Sequence, residues 1–208
     1  MTAPFGEFVR YFPATIVNVV ADALTPYNVS WYELVVLSAI ARSLEPGLVL
    51  ELGTFDGRTA AQLALNCPGE ARVVSVDIAA EVQLQVGAST RPVPVGSFLE
   101  KIPRTGNIEL VTADSRSHDF STIFGQAALV FVDGDHSYDG VLADTRVAFD
   151  VVRPGGYVVW HDYLMIGDVT RALESIAAER PLVHIDDTTL VFSGPAAADH
   201  LMSRIRSG

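Results

Sequence analysis

Glu51, Asp77, Asp114, Asp133 and the pair His161-Asp162 are the residues whose types and spacing point to chemistry. Each closes a short apolar run of strand character, and the runs begin near Leu48, Arg72, Ile108, Ala128 and Tyr157. Carboxylates in this position can accept ligand hydroxyls and neutralise a positively charged group. In an open parallel sheet, ligands bind outside the carboxyl ends of the strands, at the switch point of the topology. One acid at a strand end means little. Five successive strands supplying acids to one edge are hard to explain by packing, and the competing explanation is a set of solvated loop acids.

The turn after the first run reads Glu51-Leu52-Gly53-Thr54-Phe55-Asp56-Gly57. The dinucleotide fingerprint G-x-G-x-x-G has its second glycine where backbone must touch a pyrophosphate. Counted from Gly53, that position holds Phe55 and the last one holds Arg58. Gly53 and Gly57 still allow a tight turn and close helix packing. The ligand is therefore expected to carry a nucleoside but no diphosphate. Asp77, 20 residues past Gly57, can accept both ribose hydroxyls. Asp114, or the backbone of Ala113-Asp114-Ser115, is placed to meet an adenine edge. Glu51 is acidic where a pyrophosphate would want no acid, which favours a ligand with a cationic end.

The elements that must position these residues alternate. Trp31–Leu44 is apolar on most faces and reads as a buried helix, with Asn28 or Ser30 as its cap and Glu45-Pro46-Gly47 as its end. A helix is expected near Arg58 to Asn66, another over Tyr138–Val152 closed by Arg153-Pro154-Gly155-Gly156, and a third from Asp168 to about Glu179. Two last strands, near Leu182–Ile185 and Thr189–Phe192, flank the turn signal Asp186-Asp187. Strands alternating with helices give a parallel α/β sheet covered on both faces. Leu84–Gly106 breaks the rhythm with Pro92, Pro94 and Pro103, and its one short helix is expected near Phe98–Lys101. Such a stretch is either a lid or a plain surface excursion.

The chain has 208 residues, enough for one domain with a real core. Its 14 Lys and Arg against 25 Asp and Glu give a net charge of −11. That balance, with no basic cluster, excludes a nucleic-acid binder and disfavours an anionic membrane surface. Cys67 is the single cysteine, so intrachain disulfides and cysteine-rich zinc sites are ruled out. No membrane span or signal peptide is recognisable, and the protein is expected to be cytoplasmic.

The motif E-x-G-x-x-x-G, an acid after strand two and Ala-Asp-Ser after strand three together resemble class I S-adenosylmethionine-dependent methyltransferases. More narrowly, Phe131-Val132-Asp133-Gly134-Asp135-His136-Ser137-Tyr138, then Arg153-Pro154-Gly155-Gly156 and His161-Asp162, is similar to the small-molecule O-methyltransferases of the macrocin and cephalosporin-biosynthesis type. The likeness runs from about Val29 to Ser193. It implies a Rossmann-like seven-strand sheet, parallel with one antiparallel edge strand. A helical cap over 1–45, an α/β core over 46–195 and a tail over 196–208 would make up the single domain.

The cofactor implied is S-adenosylmethionine, whose sulfonium and ammonium suit an acidic rim. The residues implied for it are Glu51, Gly53, Thr54, Phe55 and Gly57 of the turn, then Asp77, Ile78, Asp114, Ser115 and Asp133. A likeness to catechol-type O-methyltransferases adds Val29 and Ser30 for the methionine part and Thr59 for its carboxylate. In the metal-dependent relatives, the acid after strand four and a polar pair after strand five bind Mg²⁺; here these are Asp133, His161 and Asp162. Adjacent strand ends lie about 5 Å apart, so three such side chains can reach one ion. Imidazole suits Mg²⁺ poorly and Mn²⁺ better, so either His161 stands behind the ligands or the metal is not Mg²⁺. His136, three residues after Asp133, takes the position of the general base, and the competing reading is a loop histidine that caps the next helix.

The expected function is methylation of a hydroxyl on a small acceptor, a sugar or glycosylated metabolite, by a homodimer. The sugar expectation rests on the D-G-D-H resemblance alone. A catechol or phenol acceptor is the first alternative. A nicotinamide-dependent oxidoreductase, opposed by Phe55, and a non-catalytic cofactor-binding module, opposed by Asp133, His136 and Asp162, are more remote. Trp160 is read as core, His184 as structural, and Tyr163 and Met165 as acceptor-pocket candidates.

Overall fold

The computed structural model describes residues 2–4, 6, 16–20, 28–45, 47–79, 93–102 and 107–195. Its strands are β1 (Thr2–Ala3), β2 (Leu48–Leu52), β3 (Arg72–Asp77), β4 (Ile108–Thr112), β5 (Ala127–Val132), β6 (Val152–Trp160), β7 (Val183–Ile185) and β8 (Val191–Ser193). Its α-helices are α1 (Trp31–Ser43), α2 (Arg58–Asn66), α3 (Tyr138–Val151) and α4 (Gly167–Ala177). Much of 1–45, most of Leu84–Gly106, and the tail over 196–208 lie outside the described residues.

The strands form one sheet in the order β1-β7-β8-β6-β5-β2-β3-β4. The chain builds outward from β2 through β3 to β4, then returns to place β5 on the other side of β2. The switch point therefore lies between β2 and β5, where an open α/β sheet leaves its crevice. β7 and β8 form the expected antiparallel hairpin, and β8 inserts between β6 and β7, antiparallel to both. An eighth strand, β1, extends the sheet by pairing parallel with β7 at Thr2 and His184. A two-residue strand carries no periodicity, so the sequence could not announce it. In the described part of the helical cap, Gly6 and α1 are helical, residues 2–3 are strand and 16–20 are neither helix nor strand.

Alternation along the strands sends side chains to two cores. Val49, Val73, Leu129, Phe131 and Val159 face α1 and α2, packing with Leu34, Leu37, Ile40, Ala60 and Leu63. Leu50, Leu52, Val130, Val132, Val158 and Trp160 face α3 and α4, packing with Val141, Ala148, Val169 and Leu173. All five residues of β2 and all six of β5 are buried, as parallel strands covered on both faces require. α1 is buried along most of its length, in accord with its apolar faces. Trp160 is core, and its indole N–H donates to Thr145 Oγ1 at 3.0 Å.

Arg153-Pro154-Gly155-Gly156 does not separate α3 from the next strand as expected. α3 stops at Val151 and β6 begins at Val152, with Val152 paired to Ala127 across a register irregularity. A side chain at Gly156 would strike the carbonyls of Ala127 and Ala128 at 2.9 and 3.0 Å, so glycine lets the bent strand stay in the sheet. The described part of the proline-rich stretch folds over the glycine turn. Gly96 N–H donates to Phe55 O at 2.9 Å and Phe98 N–H to Asp56 O at 2.8 Å, before one 3₁₀ turn over Leu99–Lys101.

Candidate active site

The ends of β2 and β5 meet at the switch point. Gly53 has φ +97°, and a Cβ on it would lie 2.1 Å from the Asp133 carbonyl oxygen. No other residue permits this approach. Gly53 N–H donates to Val76 O, and Asp133 N–H to Leu52 O, both at 2.8 Å. The turn then passes through Phe55, at φ 48°, and Gly57, at φ 86°, into α2. Asp77 at the end of β3 ties this turn down: its Oδ2 accepts from Thr54 N–H at 3.0 Å and Phe55 N–H at 2.8 Å.

Asp133, His136 and Asp162 converge just beyond. Each offers one ligand atom, and these atoms all lie within 4.8 Å of one another. His136 Nε2 is 2.9 Å from Asp162 Oδ2 and 3.5 Å from Asp133 Oδ1. His136 is exposed, whereas Asp162 is buried. Asp162 has φ 64°, a left-handed conformation that aspartate tolerates better than most residues and that recurs at functional sites.

Among the described residues, the group whose ligand atoms lie within 4.8 Å of one another is Asp133, His136 and Asp162, and His161, expected with the two acids, stands beside both of them. His161 is buried behind the two acids, with Nδ1 3.2 Å from Asp133 Oδ1 and 3.1 Å from Asp162 Oδ1. Its Nε2 is 3.4 Å from Glu33 Oε2. Both ring nitrogens therefore face carboxylates.

Glu33 and Thr189 are the residues that sequence reasoning missed. Glu33 is buried in the first turn of α1, where Ser30 Oγ accepts its N–H at 3.3 Å and Ser30 N–H donates to its Oε2 at 3.0 Å. Ser-x-x-Glu before an apolar run is a capping box, and that signal was legible. Thr189, in the turn between β7 and β8, donates its N–H and hydroxyl to Glu33 Oε1 at 2.7 and 2.8 Å. Nothing local marks it.

Charge is dense here. Burial opposes ionisation of His161, but Asp133, Asp162 and Glu33 outweigh it and hold the imidazolium well above the usual histidine range. Hydrogen bonds to Asp133 and Asp162 push His136 up to about 10. Burial opposes the charge on Asp162 and Asp133 too, yet the two imidazoles hold both carboxyls below the usual range. Glu51, wholly buried behind the turn, behaves oppositely. Burial drives its carboxyl well above the usual range; Ser75 opposes that, and Asp133, Asp77 and Asp56 reinforce it.

These features fit the two groups the motifs imply. Two carboxylates and an imidazole are a plausible donor set for a divalent cation. For a cofactor with a positive end, Glu51 Oε1 is a buried acceptor with no hydrogen-bond partner, close to Asp133, Asp77 and Asp56. Its Oε2 accepts from Ser75, which is linked in turn to Thr54.

The remaining cofactor candidates are distributed as follows. Val29 is buried beside α1, and Ser30 is its cap, with both N–H and hydroxyl turned to Glu33. Thr59 is half-buried in the first turn of α2, and Ile78 half-buried just beyond β3. Asp114 grips Arg116 through two side-chain bonds at 2.9 and 3.0 Å, and Ser115 Oγ donates to Asp144 Oδ1 at 2.5 Å. Tyr163 is half-buried and Leu164 and Met165 are exposed beside Asp162. His184 is buried, with Nε2 2.7 Å from Thr188 O.

A family model described as a methyltransferase domain matches residues 50–163. No curated protein matches the chain. Among solved structures, it is similar to an O-methyltransferase from Bacillus cereus in complex with SAH, with 17% identity and a TM-score of 0.63 over 83% of this chain and 84% of that one. The O-methyltransferase NovP matches with 17% identity and a TM-score of 0.61 over 78% of each chain. The O-methyltransferase TomG from Streptomyces achromogenes, involved in tomaymycin synthesis and in complex with SAM, matches with 19% identity and a TM-score of 0.56 over 82% and 83%. At such identities the likeness establishes the fold.

Proposed function

The chain belongs to the methyltransferase-domain family, and we propose that it transfers a methyl group from S-adenosylmethionine to a hydroxyl of a small acceptor, assisted by a divalent cation. The observation that carries this reading is the convergence of Asp133, His136 and Asp162 at the switch point of a methyltransferase sheet. Solved relatives described as O-methyltransferases, one in complex with SAH and one with SAM, support it.

S-adenosylmethionine, when bound, supplies a methyl carbon on a sulfonium that leaves as a neutral thioether. A divalent cation, when bound, supplies charge that lowers the pKa of a neighbouring hydroxyl and of His136. Asp77 would hold the ribose, and Glu51 Oε1, a buried acceptor with no partner, would meet the cofactor's positive end. Asp133 and Asp162 would hold the cation, Mg²⁺ or Mn²⁺. His136, whose imidazole is exposed, would take the hydroxyl proton through Nε2. Positioning by the strand ends contributes much of the rate.

A sugar or glycosylated metabolite is the acceptor favoured by the D-G-D-H and H-D motifs. A phenol is the second reading, favoured by exposed Leu164 and Met165 next to Asp162. Titration calorimetry of chelator-treated protein with S-adenosylhomocysteine, with NAD as control and with added Mg²⁺ or Mn²⁺, tests the cofactor. Binding of the homocysteine nucleoside but not NAD supports the reading. Binding of NAD alone, or of neither, overturns it. Labelled methyl transfer to sugar and phenol panels then separates the acceptors.

A further inference from the structure

We propose that Glu33 is the positioning residue of the acidic site, holding His161 with one carboxylate oxygen and Asp162, through Thr189, with the other. This role rests on reading Asp133, His136 and Asp162 as a cation site.

Glu33 lies 100 residues before Asp133 and touches neither Asp133 nor Asp162 directly. It reaches them by two routes. Oε2 stands 3.4 Å from His161 Nε2, and the other ring nitrogen faces Asp133 and Asp162. Oε1 accepts from Thr189 N–H and Thr189 Oγ1. The same Thr189 Oγ1 accepts the N–H of Asp162 at 3.2 Å, and Thr189 O accepts the N–H of Tyr163 at 3.0 Å.

Both backbone N–H groups around the Asp162 carboxylate are therefore pinned to one residue that Glu33 grips. That matters because Asp162 sits at φ 64°, a left-handed conformation that its surroundings must hold in place. Capping α1 explains the contact with Ser30 alone. A capping glutamate ordinarily lies at a helix surface, whereas Glu33 is only 4% exposed. Burying a carboxylate is costly unless donors satisfy it, and these come from Ser30, Thr189 and His161. Outer partners of this type set the geometry of metal ligands, and their loss commonly weakens metal binding by about 10–100-fold.

The test measures Mn²⁺ binding by the electron paramagnetic resonance of free Mn²⁺, and S-adenosylhomocysteine binding by calorimetry, on the full chain. The samples are the parent protein, Asp133→Asn, Glu33→Gln and Thr189→Val. The parent is expected to bind Mn²⁺ and Asp133→Asn to lose it. Glu33→Gln and Thr189→Val should bind Mn²⁺ about 10–100-fold more weakly, with nucleoside affinity unchanged. Equal Mn²⁺ affinity in the parent and both variants overturns the role and leaves Glu33 a helix cap. Parallel loss of Mn²⁺ and nucleoside affinity marks a merely structural residue and also overturns it. Should Glu33→Gln not fold, Thr189→Val alone decides by the same criteria. No Mn²⁺ binding by a parent that binds the nucleoside overturns the cation reading itself, a result distinct from the other two.

Discussion

His136 Nε2 lies 2.9 Å from Asp162 Oδ2, closing a contact between the loop after β5 and the loop after β6. The pair joins the one exposed imidazole of the cluster to a buried carboxylate. Replacing His136 by alanine separates its two possible duties. As the base, its loss lowers kcat by about 10²–10⁴-fold while Mn²⁺ affinity stays unchanged. As a ligand, its loss weakens Mn²⁺ binding in the same experiment. Steady-state kinetics beside Mn²⁺ titration reads the difference.

The same pair gives the cation-free protein a pH signature. His136 is raised in the folded state to about 10, above its unfolded value of about 6.5. A raised histidine stabilises fully below the unfolded pKa and loses that contribution as pH climbs through the folded one. Chelator-treated protein should therefore lose melting temperature between about pH 6.5 and 10, and His136→Ala should lose less. Equal slopes in thermal scans of the two proteins would show that the pair carries no net linkage.

Glu51 predicts the opposite linkage. Its folded carboxyl is raised by burial, so the folded state holds a proton that the unfolded state has released above about pH 4.3. Stability then falls with rising pH over that interval. Glu51→Gln, which needs no ionisation, should make the urea midpoint of the ligand-free protein fall less with rising pH than it does in the parent. Equal slopes in the two proteins would show that Glu51 carries no such linkage.

Gly53→Ala is expected to be severe. The added methyl would lie 2.1 Å from the Asp133 carbonyl, and φ +97° is closed to alanine. A loss of about 3 kcal/mol or more is expected in urea unfolding, together with loss of nucleoside binding, because the strand ends must part.

Cys67 should be silent in the native protein. It is buried, and that burial pushes its thiol up to about 12. A disulfide exchange reagent at pH 8 should find no reactive thiol before denaturant is added and one afterwards.

Much of this was legible from residue order. Runs such as Leu48–Leu50 and Ala128–Val132 are the near-continuous apolar stretches of doubly covered strands, and the helices between them fix parallel crossovers. A polar residue ending each run lands on the carboxyl edge of the sheet, so Asp77, Asp133 and Asp162 could be assigned to one cleft. Ser30 was one of two candidate caps for α1, and nothing in the sequence announced the second use of Glu33. β1 was invisible, because two residues next to an edge strand leave no pattern.

The sequence by itself determined the alternation of elements, the edge that carries the acids and the glycine that lets β2 and β5 close on each other, since all three follow from short-range periodicity and sterics. The tertiary structure alone decided which histidine stands at the front. His161 precedes Asp162 by one residue, yet its ring turns inward because Glu33, from 128 residues earlier, and the two acids leave it no unpaired nitrogen. His136 fills the place beside Asp133 and Asp162 because the loop after β5 folds it across to the end of β6. Such choices depend on contacts between chain segments far apart in sequence, and no local pattern encodes them.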